Sequence, residues 1–230
     1  MKSIDKDPVT VDPFQIRDCA LITRTSNGLP SLNLREFREQ VARCPIDSIY
    51  HHFCETVLRP SFDDPEFHND FAVWARRALH DHVLAERLEI LDPYDYPNFE
   101  ELRREVLEIL DDRLAEVTYI PWVEGNRAFH FLRATTVVFD TGITIESPTL
   151  LSRAIAEMTT SSLYYHFWEA RRRTDGQLDD FTAWLKNWNS RGEPLIEAIS
   201  NIDFFFLSLR ELQKKLRAVI DDTLGRQDQS

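Results

Sequence analysis

The sequence predicts a mainly α-helical α+β fold, built by tandem duplication of one unit about a pseudo-two-fold axis, with a small β-sheet. Three observations carry this prediction. Ser48-Ile49-Tyr50-His51-His52-Phe53-Cys54-Glu55 returns as Ser162-Leu163-Tyr164-Tyr165-His166-Phe167-Trp168-Glu169. Asp70-Phe71-Ala72-Val73-Trp74 returns as Asp180-Phe181-Thr182-Ala183-Trp184. The stretch from Glu101-Leu102 to Asp111-Asp112-Arg113-Leu114 returns as Glu211-Leu212 to Asp221-Asp222-Thr223-Leu224. The matches keep their order and nearly their spacing. The boundaries that follow are a loose N-terminus (1–12), a first unit (13–117), a linker (118–127), a second unit (128–225) and a loose tail (226–230). The short linker predicts two units packed as one globular body.

Each unit opens with a strand. Phe14 to Thr25 alternates in polarity, and Phe129 to Phe139 is dense in β-branched and aromatic residues. Turn signals follow at Ser26-Asn27-Gly28 and Asp140-Thr141-Gly142, so Ile143-Thr144-Ile145 reads as the return strand of a hairpin. The two opening strands are expected to pair with each other. A first helix starts after Asn33 or Ser147 as N-cap, with apolar stripes Leu34, Phe37, Val41, Cys44 and Leu151, Ala154, Ile155, Met158. Ser48 and Ser162 read as caps of a second helix, which carries the Tyr-x-His-Phe motif. Asp70 and Asp180 announce a third. Leu84, Leu88, Leu91 and Leu195, Ile199, Ile202 mark a short fourth. The last helix repeats apolar residues in steps of three and four from Phe99 to Leu114 and from Leu209 to Leu224.

Composition narrows the function classes. An apolar fraction of 43% in 230 residues supports a real core. A net charge of −12, concentrated in the first copy, repels phosphate backbones and argues against nucleic acid as a partner. Three cysteines without a CxxC spacing fit a reducing compartment. No apolar leader and no membrane-length run are present, so a soluble cytoplasmic protein with no membrane partner is expected. With only six glycines there is no phosphate-cradling loop or dinucleotide fingerprint, and no Gly-x-Ser-x-Gly elbow occurs.

Ser161-Ser162-Leu163-Tyr164-Tyr165-His166-Phe167-Trp168-Glu169-Ala170-Arg171, followed by Asp179-Asp180-Phe181-Thr182-Ala183-Trp184-Leu185, resembles the signature of an uncharacterised prokaryotic family defined as a domain of unknown function. The first copy departs from it: His51 stands where the second has Tyr165, and Thr56-Val57 replaces Ala170-Arg171. Its Asn69-Asp70-Phe71 is nearer the family form than Asp179-Asp180-Phe181. The resemblance covers most of 14–225 and implies no activity, cofactor or ligand.

Two constellations could carry chemistry. On a helix, His52 and Glu55 share a face, as do His166 and Glu169. Brought together, two imidazoles and two carboxylates suit a divalent metal such as zinc, iron or manganese. The packing alternative has each His, at the edge of an apolar stripe, bonding a backbone carbonyl or a carboxylate such as Asp70. The second constellation is aromatic and acidic: Tyr50, His52, Asp70 and Trp74 in one copy, Tyr164, His166, Asp180 and Trp184 in the other, with Arg59, Arg173, Trp168 and Trp188 nearby. Flat faces beside carboxylates suit a small polar ligand such as a sugar; the packing alternative makes Phe-x-x-Trp core. Arg171-Arg172-Arg173 reads as a solvated helix end. Asp111-Asp112 and Asp221-Asp222 read as contacts to a neighbouring Arg or Lys.

The function expected is a non-catalytic cytoplasmic binding or regulatory protein, monomer or homodimer, for a protein partner or a small polar ligand. The alternative is a metal-dependent enzyme using His52, Glu55, His166 and Glu169. If a single copy is active, the fuller motif favours the second.

Overall fold

The alternating segment at the N-terminus forms strand β1 (Phe14–Thr25) in the computed structural model, which describes residues 11–26, 28–58, 67–120, 122–123, 125–174 and 176–227. It pairs with β2 (Leu132–Ile145) in a two-stranded antiparallel sheet, as expected from the two β-rich segments. The hairpin expected at Asp140-Thr141-Gly142 does not form. Gly142 takes a positive φ of 72° inside β2, its N–H bonds Asp140 Oδ1, and the strand runs on to Ile145. One left-handed residue bends a strand; reversal within two residues needs a full hairpin turn. Asn27, in the other turn signal, lies outside the described residues, as do Arg59 and most of the N-terminal segment.

The compact units differ from the sequence copies. A middle unit comprises Leu21–Thr136, and a terminal unit joins Met1–Ala20 to Val137–Ser230. Both boundaries fall inside strands. Residues 14–20 of β1 therefore belong with the second copy's helices, and the start of β2 belongs with the first copy's helices.

In the middle unit the helices are α1 (Leu34–Arg43), α2 (Ile46–Cys54), α3 (Asp70–Arg77), α4 (His82–Glu89) and α5 (Phe99–Glu116). Asn33, Asn69, Asp81 and Asn98 cap α1, α3, α4 and α5 by accepting first-turn N–H bonds. Phe37, Ile49, Phe71, Leu84, Leu88, Leu102, Val106 and Leu110 are wholly buried, so the apolar stripes read along each helix meet in this core. Asp111 takes two hydrogen bonds, at 2.7 and 2.8 Å, from Arg38 on α1. That is the cationic contact expected for the late carboxylate pair, formed here between two half-exposed side chains.

The terminal unit contains α6 (Leu151–Glu157), α7 (Thr160–Tyr164), a π-helical turn (Tyr165–Glu169), α8 (Ala170–Arg173), α9 (Asp180–Leu185), α10 (Glu193–Ser200) and α11 (Leu209–Gln227). Its core is Leu151, Ile155, Leu163, Tyr164, Phe167, Phe181, Leu195, Leu212, Leu216 and Ile220. Ser48 and Ser162 are not caps. α2 starts two residues before Ser48, and Thr159 caps α7. Both serine hydroxyls are drawn instead to a strand carbonyl. Asp70 and Asp180 are likewise first helical residues, preceded by the true caps Asn69 and Asp179.

Candidate functional site

Each repeated motif grips the backbone of one strand residue. In the middle unit Ser48 Oγ donates to the carbonyl of Leu132 at 2.7 Å, and His52 Nε2 accepts from the N–H of the same residue at 2.9 Å. In the terminal unit Ser162 Oγ donates to the carbonyl of Arg17 at 2.7 Å, and His166 Nε2 accepts from the Arg17 N–H at 2.9 Å. Ser and His four apart on a helix present a donor and an acceptor in line. They match the two polar groups that one extended residue turns to the same side.

The Asp-Phe-x-x-Trp motif completes the grip. Asp70 Oδ2 lies 2.7 Å from His52 Nδ1, and Asp180 Oδ2 lies 2.7 Å from His166 Nδ1. Trp74 Nε1 donates to the Arg127 carbonyl at 2.8 Å, and Trp184 Nε1 donates to the Asp12 carbonyl at 2.9 Å. Between these anchors a Phe fills the pocket they frame. Phe129 lies 4.8 Å from His52, 5.4 Å from Phe71 and 5.7 Å from Trp74 between ring centroids. Phe14 lies 4.9 Å from His166, 5.4 Å from Phe181 and 5.6 Å from Trp184. The same sequence step separates Asp12 from Arg127, Phe14 from Phe129 and Arg17 from Leu132, so the two grips share one register.

This network fixes the chemistry of the histidines. A backbone N–H can only donate, so Nε2 must accept, which places the ring proton on Nδ1 facing the aspartate. Neither nitrogen keeps a lone pair for a metal or a substrate proton. Ser, His and Asp are the parts of a hydrolytic triad, but the serine donates to a strand carbonyl rather than to the imidazole. The His–Glu pairing expected at i,i+3 is also not what forms in the middle unit: Glu55 bonds His51, and both are buried. Glu169 lies 3.7 Å from Arg172 Nε. Among the described residues one cluster, His51, His52 and Asp70, brings one ligand atom from each within 4.8 Å. Its His52 Nδ1 carries the proton given to Asp70, so the set lacks a third lone pair. Burial pushes the Cys44 thiol up to about 11, against the pull of nearby Arg103, and all three cysteines are buried thiols.

The arginine run is partnered. Arg171 reaches Asp179 at 3.3 Å and lies over the Phe167 and Phe204 rings; Arg173 reaches Asp180 at 2.5 Å and lies over Tyr165. Burial pushes the Asp180 carboxyl up, but hydrogen bonds from His166 and Arg173 outweigh it and hold the group below its ordinary value. A depressed carboxylate adds stability that is fully present above the ordinary Asp pKa and is lost as pH falls through the depressed one. Asp179 works in the opposite direction, because burial raises it against the weaker pull of Arg171 and Thr182. The stability gap between the wild type and Asp180→Asn should therefore be largest near neutrality and shrink below about pH 4. Urea midpoints from pH 7 to pH 3 measure it; a gap that stays constant would remove the ionic role of Asp180.

The eight residues expected to bind ligand thus divide. Tyr50 and Tyr164 are buried in the cores, with Tyr50 edge-on to Phe99. His52 and His166, expected at the edge of the stripe, are buried as well. Trp74 and Trp184 are equally buried, and the Trp188 ring packs edge-on to Trp184 at 5.6 Å. Asp70 and Trp74 border an open cleft of about 770 Å³ in the middle unit. Its other walls include Arg76, Arg77, His80 and Arg127, which the sequence reading passed over. One signal for them was available. Ala78, which lines the cleft, follows Trp74 at the spacing by which Trp188 follows Trp184, so a small side chain stands there in place of a large one. The cleft lies in the first copy.

A comparison with curated proteins returned no match. The fold is similar to the structure of OrfY from Thermoproteus tenax, with a TM-score of 0.77 at 24% identity, over 95% of this chain and 99% of that one. At that identity the likeness concerns the fold alone. No helix among the described residues is long and apolar enough to cross a membrane. A family model matches residues 11–221, and the chain belongs to that family, the family of unknown function DUF5752.

Proposed function

We propose that the chain is a non-catalytic cytoplasmic binding or regulatory protein, made of two diverged copies of one module, that takes a small polar ligand in the cleft of its middle unit. The observation that carries this reading is the use of both Ser–His–Asp sets to hold strand backbone. Catalysis or metal binding there would require His52 or His166 to give up its bond to the strand backbone. The cleft favours a small ligand over a protein partner, since its size falls within the usual range for small-molecule sites and polar groups converge on it. Nucleic acid and membrane play no part in this reading, and the protein acts as a monomer or homodimer.

The test is a thermal-denaturation screen of the full chain with EDTA, divalent metals, and neutral and charged small polar compounds. EDTA and metals are expected to leave the midpoint unchanged. A cleft ligand at a hundredfold excess over its dissociation constant is expected to stabilise by about 2.7 kcal/mol. A metal-specific shift that disappears in His166→Ala would sink the reading in favour of the metal enzyme.

A further inference from the structure

The middle-unit cleft brings Arg77 and Arg127 to one opening beside Asp70 and Trp74; Arg76 also lines it, with its guanidinium against His82. In a chain of net charge −12 this local sign reversal is not background. Arg76 and Arg77 close α3, where cations complement a helix C-terminus, but that argument does not reach Arg127, on a separate segment. The second copy supplies an internal control. Lys186, Asn187 and Trp188 stand where the first has Arg76, Arg77 and Ala78. The carbonyl held by its Trp belongs to Asp12 rather than Arg127. The grip on the strand is the same in both units, so the scaffold requires neither the arginines nor the small Ala78. Those features are what the first copy has in addition.

We infer that this cleft binds a phosphomonoester of a small polar molecule, an inference that rests on the ligand-binding reading above. Arginine forks pair with oxyanions in bidentate geometry and hold their charge at every physiological pH. A volume of about 770 Å³ far exceeds a phosphate group and leaves room for an organic portion. Trp74 offers that portion an apolar wall, and Asp70, partly exposed beside it, is an acceptor for a hydroxyl. Asp70 also disfavours a second anionic group at its end of the cleft, which selects a ligand charged at one end only.

Titration calorimetry on the full chain, with glucose 6-phosphate, inorganic phosphate and glucose as probes, tests the inference. Glucose 6-phosphate is expected to bind, inorganic phosphate more weakly, and glucose without measurable heat. Arg77→Ala and Arg127→Ala should each weaken glucose 6-phosphate binding about tenfold or more. Ala78→Trp, which copies the second unit's large side chain, should abolish it without removing a charge, and Trp188→Ala should leave it intact. Arg127→Lys guards against misfolding, since it keeps the charge and loses the fork; an intermediate affinity is expected. Glucose binding as tightly as its phosphate would overturn the phosphomonoester while leaving a binding protein. Equal binding of inorganic phosphate would replace the ester with the free ion. Binding unaffected by Arg77→Ala, Arg127→Ala and Ala78→Trp, or no binding by any probe, overturns the site. Phosphate release during the titration would instead overturn the non-catalytic reading.

Discussion

Replacing His166 with alanine is expected to destabilise the terminal unit by about 3–5 kcal/mol, a large share of the stability of a typical domain. Three losses coincide. The Arg17 N–H is left without its acceptor, an omission that costs about 1–3 kcal/mol when buried. Asp180 loses one of its two cationic or donor partners and stays beside Arg173. A cavity opens where the imidazole had packed 4.9 Å from the Phe14 ring and 5.8 Å from Phe181. Ser162→Ala, which removes only the donor to the Arg17 carbonyl, should cost about 1 kcal/mol. His52→Ala should repeat the larger effect in the middle unit, where Leu132 is the residue held. Denaturant titration with hydrogen exchange resolved by peptide measures each. A metal-ligand role predicts the reverse pattern: little change in the metal-free protein and a large change in its response to metal. A His166→Ala loss below about 1 kcal/mol would remove the grip as the reason for the motif.

A chain that begins at Leu21 is expected to lose the terminal unit as a folded body. Phe14, Ile16 and Cys19 are buried parts of its core, and truncating one such Phe to Ala alone costs about 3–5 kcal/mol. The cut also strips Ser162, His166 and Trp184 of their backbone partners together. A margin of about 5–15 kcal/mol does not survive that sum. Amides of α6 to α11 should exchange as in an unfolded chain, while α1 to α5 keep their protection, because Phe129, Phe131 and Leu132 remain to fill their grip. A synthetic peptide of residues 11–20 added at high concentration should restore protection to α6 to α11. Retained protection in the truncated chain would show that the strand is an accessory rather than a part of that unit.

Much of the architecture was legible because it rests on local physics. The steps of three and four from Leu102 to Leu110 and from Leu212 to Ile220 describe faces that are indeed buried. Asn33 was readable as a cap because its side chain satisfies a first-turn N–H within its own segment. Ser48 and Ser162 misled for the same reason. A serine near a helix start is a good cap by local criteria, and nothing nearby announces that a distant strand carbonyl will claim the hydroxyl. A metal-ligand alternative arises for His52 and His166 because the sequence displays their ring nitrogens but not the backbone N–H groups that occupy them.

By itself, the sequence determined the helices, the strand segments and the repeated motif, since each is a matter of side-chain type and spacing along one stretch of chain. Tertiary structure decided which strand serves which helices. Alternation in Phe14–Thr25 states that one face is buried but not against what, and the partner's contribution to the grip is peptide backbone, identical at every residue. It also decided where the cleft lies, because Ala78 becomes one of its walls only once the chain brings Arg127 and Phe129 beside α3.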